Sequence, residues 1–186
     1  MMQHFGPILT HPRWPTHCMQ RRRLLKLGVG AAALLAVVGG GAALLRPGLV
    51  NGSLTQHSRA VFHAIARAVL DGSLPSVVPE RDAALQAHLK RLDAVLAAFP
   101  AATQGELSQL LGLLASAPGR VARAGLHTGW QDASVPEVQR SLQDMRTSSL
   151  ALRQQSYHAL RDLTNAAFYA DPSAWPLLGY PSPREV

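Results

Sequence analysis

The longer stretches between the proline and glycine breaks after position 46 repeat their apolar residues at helical spacing, and no segment alternates convincingly as a strand does. Residues 55–70, TQHSRAVFHAIARAVL, place Val61, Ile65, Ala68 and Val69 on one face. Thr55 suits the N-cap and Asp71-Gly72 the stop. A Pro-punctuated link, SLPSVVP, follows over 73–79. The spacing predicts a helix over 80–98, with acids at its start and Leu85, Leu89, Leu92 and Leu96 on one face, ended by Pro100. Thr103-Gln104-Gly105-Glu106 has the form of a capping box before LSQLLGLLAS, a helix that stops ahead of Pro118-Gly119.

Residues 117–133 read as a looser connection with a short helical turn near Val121. Ser134-Val135-Pro136-Glu137 is a second capping box, opening a helix that runs to about Met145. The longest helix is expected over 149–170, with Leu152, Leu160, Leu163 and Phe168 as its stripe, stopped by Asp171-Pro172. The last sixteen residues hold four prolines and also Trp175, Leu177, Leu178 and Tyr180. They read as an irregular, extended tail that packs on its own body or docks on another protein. The expected fold is all-α: a small bundle of about five helices over 47–170, a tail over 171–186, and a separate leader over 1–46.

The leader has its own chemistry. Gln20-Arg21-Arg22-Arg23-Leu24-Leu25-Lys26 precedes nineteen residues, 27–45, without a charge. Basic residues before an apolar run form an export-signal pattern. Arg21-Arg22, any residue, Leu24-Leu25 and Lys26 resemble the motif of bacterial twin-arginine signals, read by a translocase that carries folded cargo. An uncleaved anchor is the other reading: nineteen helical residues span roughly 28 Å, close to the thickness of a bilayer core.

Charge bears this division out. The whole chain carries +7 and a pI of about 10.7. Six basic residues and no acid precede position 47, whereas beyond it twelve basic residues meet eleven acids. The basicity belongs to the leader, which argues against nucleic acid as a partner for the body. The one cysteine, Cys18, also lies in the leader, so the body has no disulfide, cysteine-zinc or haem-attachment pattern.

Catalytic and metal patterns are sparse. His57 and His63 are six apart, His88 and Asp93 five apart, and neither pair shares a face well. His158 and Asp162 do share a face, which fits a surface pair better than half of a metal site. His127 near Trp130, and Ser148-Ser149 without a nucleophile-elbow setting, add no recognisable site. An exported helical body without a visible cofactor site points to a partner that carries one.

The stretch Ala166-Ala167-Phe168-Tyr169-Ala170-Asp171-Pro172-Ser173-Ala174-Trp175-Pro176-Leu177-Leu178-Gly179-Tyr180-Pro181 resembles the end of the small subunits that accompany FAD-containing alcohol and sugar dehydrogenases. These are the gluconate 2-dehydrogenase subunit 3 type and its sorbitol and glucose dehydrogenase relatives. The aromatic pair Phe168-Tyr169, Trp175 and Gly179-Tyr180-Pro181 carry the likeness, with Ser182 where the family has a second glycine. The resemblance implies a non-catalytic subunit that holds no cofactor itself. Its large partner would be a flavoprotein of the glucose–methanol–choline type, holding the FAD, with a c-type cytochrome as electron acceptor. Trp175 and Tyr180, then Phe168 and Tyr169, are the expected partner-binding residues. Their other role would be to close the domain's own core. A stand-alone helical scaffold, or an enzyme assembled from His158, Asp162, His127 and Asp132, are the competing readings.

Overall fold

The computed structural model describes residues 46–179, so the predicted export-signal residues Arg21, Arg22, Leu24, Leu25 and Lys26, and the predicted docking residue Tyr180, lie outside the described residues. The described chain opens with a feature the periodicity does not show. Leu49–Val50 (β1) and Ser53–Leu54 (β2) pair antiparallel, Leu49 opposite Leu54. The turn between them is Asn51-Gly52, both with positive φ (51° and 74°), the left-handed pair a two-residue hairpin demands. Two residues per strand are too few for alternation to register in a sequence window.

Five helices of twelve or more residues follow: α1 (Gln56–Val69), α2 (Val78–Ala97), α3 (Ala101–Ala115), α4 (Val135–Arg146) and α5 (Ala151–Tyr169). The all-α expectation and the number of helices agree with the structure. α1 is the central element and packs against the other four. Its Val61, Phe62, Ala64, Ile65, Ala66 and Ala68 are buried on nearly all sides, which suits a helix with few charged residues facing inward. Thr55 stands at the N-cap, but its hydroxyl turns away, donating to the Gly48 carbonyl at 3.1 Å and thereby fastening the hairpin to α1.

The hairpin is also fastened to α3. Gly48 N–H donates to the Ser108 carbonyl, and Leu49 N–H to the Ser108 hydroxyl, both at 3.0 Å. The chain can come this close because of Gly48 and Gly112. A Cβ on Gly112 would stand 2.4 Å from the Arg46 carbonyl oxygen, and one on Gly48 would stand 2.5 Å from Leu111 Cβ.

The two capping-box patterns have different fates. At α4 the box is complete: Ser134 N–H donates to Glu137 at 2.9 Å, and the Ser134 side chain caps the third helical residue. At α3 the helix has already begun at Ala101, with Pro100 in the N-cap place, so Thr103–Glu106 is helix interior. Gln104 turns back instead, donating to the Ala97 and Phe99 carbonyls at the end of α2. Between α3 and α4, Ala117–Gly119 and a π-helical turn, Arg120–Ala124, supply the helical turn expected near Val121.

Over its described residues, 171–179, the C-terminal stretch is not the extended tail expected from the sequence. Pro172–Leu178 winds into a 3-10 helix closed by Gly179 in the left-handed region (φ 69°). Asp171 starts it, its carboxylate accepting from Ser173 N–H at 3.0 Å, and Pro172 supplies the φ of a first helical turn. Proline density excludes a long α-helix but not these tighter turns.

The main core gathers Phe62, Ile65, Leu92, Leu96, Leu111, Leu114, Trp130, Met145 and Leu160 from all five helices and the α3–α4 link. Polar groups inside it are paired. Trp130 Nε1 donates to the Leu114 carbonyl, and Ser141 Oγ to the Ala124 carbonyl, each at 2.7 Å. A second, smaller cluster of Ala66, Leu70, Leu85, Phe168 and Ala174 lies beneath the C-terminal turn.

Candidate functional site

The end of α5 is folded back on itself. Trp175 Nε1 donates to the Tyr169 carbonyl at 2.9 Å, which lays the 3-10 turn against the last turn of the helix. The Phe168 and Tyr169 rings meet edge to face, centroids 5.2 Å apart at 75°. Arg91 of α2 clamps the junction from the other side, its Nε donating to the Ala167 carbonyl at 3.1 Å and its Nη1 pairing with Asp171 at 2.9 Å. Hydrogen bonds from Ser173, with the nearby Arg91 cation adding to them, hold the Asp171 carboxyl below its usual range.

The predicted docking residues separate by direction. Phe168 is 9% exposed and sits among Ala66, Leu70, Leu85 and Ala174, so it closes the protein's own core and offers no ring to a partner. It shares the inward stripe of Leu160, Thr164 and Ala167, all buried on α5. Tyr169, one residue on and about 100° round the helix, is 39% exposed. Trp175 is half-buried at the seam between turn and helix. The structure therefore brings Tyr169 and Trp175 together at the surface and takes Phe168 inward.

Beside this turn lies a cleft of about 230 Å³. One wall is the α2 stripe Ala84, Ala87, His88 and Arg91; the others are Leu74 and Pro75 of the α1–α2 link, and Phe168, Ser173 and Ala174. His88 is 1% exposed, and neither ring nitrogen has a hydrogen-bond partner. Burial, with Arg91 adding to it, pushes its pKa down to about 4, so the ring is neutral at physiological pH. The sequence signal for this was present: His88 stands three residues after Leu85 and four before Leu92, on the apolar face of α2.

The remaining sequence candidates have structural partners. Asp93 accepts from Leu54 N–H at 2.9 Å and pairs with Arg59, tying β2, α1 and α2 together rather than serving His88. Asp162 pairs with its neighbour Arg161, and His158 stacks edge to face on Tyr157. The His57 ring meets Arg46 at 3.2 Å, and His63 is partly buried with its pKa lowered mainly by that burial. Trp130 points into the core, away from any site His127 could form, while the His127 carbonyl accepts from Arg120. Ser148 Oγ accepts from Leu150 N–H and shapes the start of α5.

Among the described residues no three His, Cys, Asp or Glu side chains cluster as metal ligands, and no helix is long and apolar enough to cross a membrane. No family model matches the chain, and no curated protein or solved structure is similar enough to count as a match.

Proposed function

We propose that this chain is an exported, non-catalytic accessory subunit of a flavin-dependent alcohol or sugar dehydrogenase. The FAD and the chemistry belong to the large subunit. The small subunit contributes the signal that takes the folded pair through the twin-arginine translocase into the periplasm, and it assists maturation of its partner. Residues 27–45 make the membrane contact, transiently during export or permanently as an anchor. A c-type cytochrome accepts the electrons.

The observation that carries this reading is Gln20–Lys26, which fits the twin-arginine pattern place by place ahead of a helical body. The surface pair Tyr169 and Trp175 at the C-terminal turn supports it, because half-exposed aromatics on a rigid turn suit interface anchoring. A stand-alone periplasmic scaffold is the second reading. It is favoured by Phe168 packing within its own core and by the Trp175–Tyr169 hydrogen bond, which give the tail an internal role.

Mild affinity purification of the chain from its native host, with mass spectrometry and an absorption spectrum, separates the two. A yellow eluate with a stoichiometric flavoprotein supports the accessory subunit; a colourless lone chain supports the scaffold. In the same host, Arg21→Lys with Arg22→Lys blocks export under the first reading, and unchanged secretion removes it.

A further inference from the structure

His88 is an interior polar group without a counterpart. Buried polar side chains in folded proteins are paired with protein or water, and each exception calls for a physical explanation. Among the described residues, Nδ1 and Nε2 of His88 are the buried side-chain polar atoms left without a partner. The cleft at Arg46 and His57 makes the contrast. There Arg46 meets the His57 ring at 3.2 Å, and the Thr55 and Ser58 hydroxyls meet at 3.2 Å, so its polar lining is already engaged. The His88 cleft is different: Arg91 and Asp171 in its lining are paired with each other, while the imidazole between the apolar walls has both nitrogens unused.

We infer that the cleft between α2 and the C-terminal turn is a binding site for a small neutral molecule with an apolar, ring-sized body and a hydroxyl group, which hydrogen-bonds to the His88 ring. The shape sets the size. About 230 Å³ lies below the usual 300–1,000 Å³ of pockets for drug-sized ligands and suits a single ring. The walls set the polarity: Leu74, Pro75, Ala84, Ala87, Phe168 and Ala174 are apolar, with Ser73 and Ser173 as small polar groups among them. Net charge on the ligand is disfavoured from both sides. Arg91 faces any cation and Asp171 any anion, and the two are already paired with each other at 2.9 Å. A neutral imidazole offers one N–H donor and one bare nitrogen acceptor, and a hydroxyl can serve either.

Both ring nitrogens are closed off from solvent in this arrangement, so the ligand reaches them as the Ser173–Ala174 edge yields. That edge is fastened by Asp171, whose one carboxylate serves both Arg91 and Ser173 N–H.

The test uses the full chain and two probes of similar shape, phenol and toluene, followed through the imidazole nitrogen signals by NMR. Phenol is expected to shift the His88 nitrogens saturably and to bind about fivefold to tenfold more tightly than toluene, the worth of one net hydrogen bond. His88→Leu brings that ratio to about one. Ala87→Leu leaves the imidazole in place but fills the cleft, and abolishes the phenol shift. Equal binding of phenol and toluene to the unsubstituted chain overturns the inference. So does a phenol shift that does not saturate, or one that survives in Ala87→Leu. A His88 ring that contacts a resident water and ignores phenol also overturns it.

Discussion

Trp130 and His88 are both almost wholly buried, at 5% and 1% exposure, and each is the large polar-tipped side chain of its own part of the interior. Trp130 has its N–H fixed on the Leu114 carbonyl at 2.7 Å, inside a core drawn from every helix. His88 lies where the interior thins to a few residues beneath the C-terminal turn, with both nitrogens unpaired. One end of the bundle is thus complete as it stands, and the other keeps hydrogen-bonding capacity in reserve. The residues that finish the first end are spread along the whole chain. Those around the second come from α2, the α1–α2 link and the last described residues.

The largest test of that contrast removes the completed end. Trp130→Ala leaves a cavity and an unpaired buried carbonyl, and is expected to cost about 3–5 kcal/mol in urea unfolding. In a body of this size that is a large share of the total stability. A cost below about 1 kcal/mol would mean that Trp130 does not organise the core.

Acid probes the other end. In the unfolded chain a histidine titrates near 6.5, whereas folded His88 titrates at about 4. Between those values the unfolded state takes up a proton that the folded state refuses, so the contribution of His88 lowers stability as pH drops from about 6.5 to about 4 and levels off below. The difference corresponds to about 3 kcal/mol. The charged groups facing the ring are Arg91, which opposes protonation, and Asp171 across the cleft. His63, also lowered by burial, contributes in the same window, so the measurement is a difference. His88→Leu is expected to flatten the curve between pH 6.5 and 4 and to leave the part due to His63. A curve of unchanged slope would show that His88 is not buried neutral.

Of intermediate size is the test of the two capping patterns. Ser134→Ala is expected to cost about 1 kcal/mol, because Ser134 occupies a true N-cap with Glu137 answering it. Thr103→Ala stays within about 0.5 kcal/mol, since Thr103 is inside α3. The pair also shows what was legible in the sequence. The local chemistry is alike in form at the two places; the nearest proline decides between them. Pro100 sets the start of α3 before Thr103 can, whereas Pro136 falls in the first turn that Ser134 caps.

Helical periodicity identifies the bundle because burial of one face repeats every three to four residues: the stripe Leu85–Leu96 is inside, as are Leu160, Leu163 and Phe168 of the last helix, whereas Leu152 is only half-buried. It cannot show the Asn51-Gly52 hairpin, whose strands are shorter than any period. Nor can the proline count alone show the 3-10 turn, which depends on Asp171 meeting Ser173. At the candidate site, residue type singles out the aromatics, but direction separates them: Phe168 inward, Tyr169 outward. His88 stands out only against the leucines that flank it on α2; set against Asp93, five residues on, it shows nothing.

The smallest expected effect on stability carries the most weight for function. Trp175→Phe keeps a ring at the C-terminal turn but removes the N–H that donates to the Tyr169 carbonyl, at a half-exposed place. A lost hydrogen bond with solvent access costs about 0.5–1 kcal/mol, so the lone chain should unfold almost as before. Trp175→Ala together with Tyr169→Ala removes the aromatic surface itself. If that surface anchors a large subunit, affinity falls by at least about thirtyfold, the loss typical of interface hot spots, while the unfolding midpoint of the lone chain moves little. If the turn only closes the bundle, the relation inverts: the double variant loses stability, and whatever partner is bound stays bound. The ratio of the two losses, measured on one pair of variants, therefore assigns the exposed face of the turn to the partner or to the fold, whatever substrate the partner oxidises.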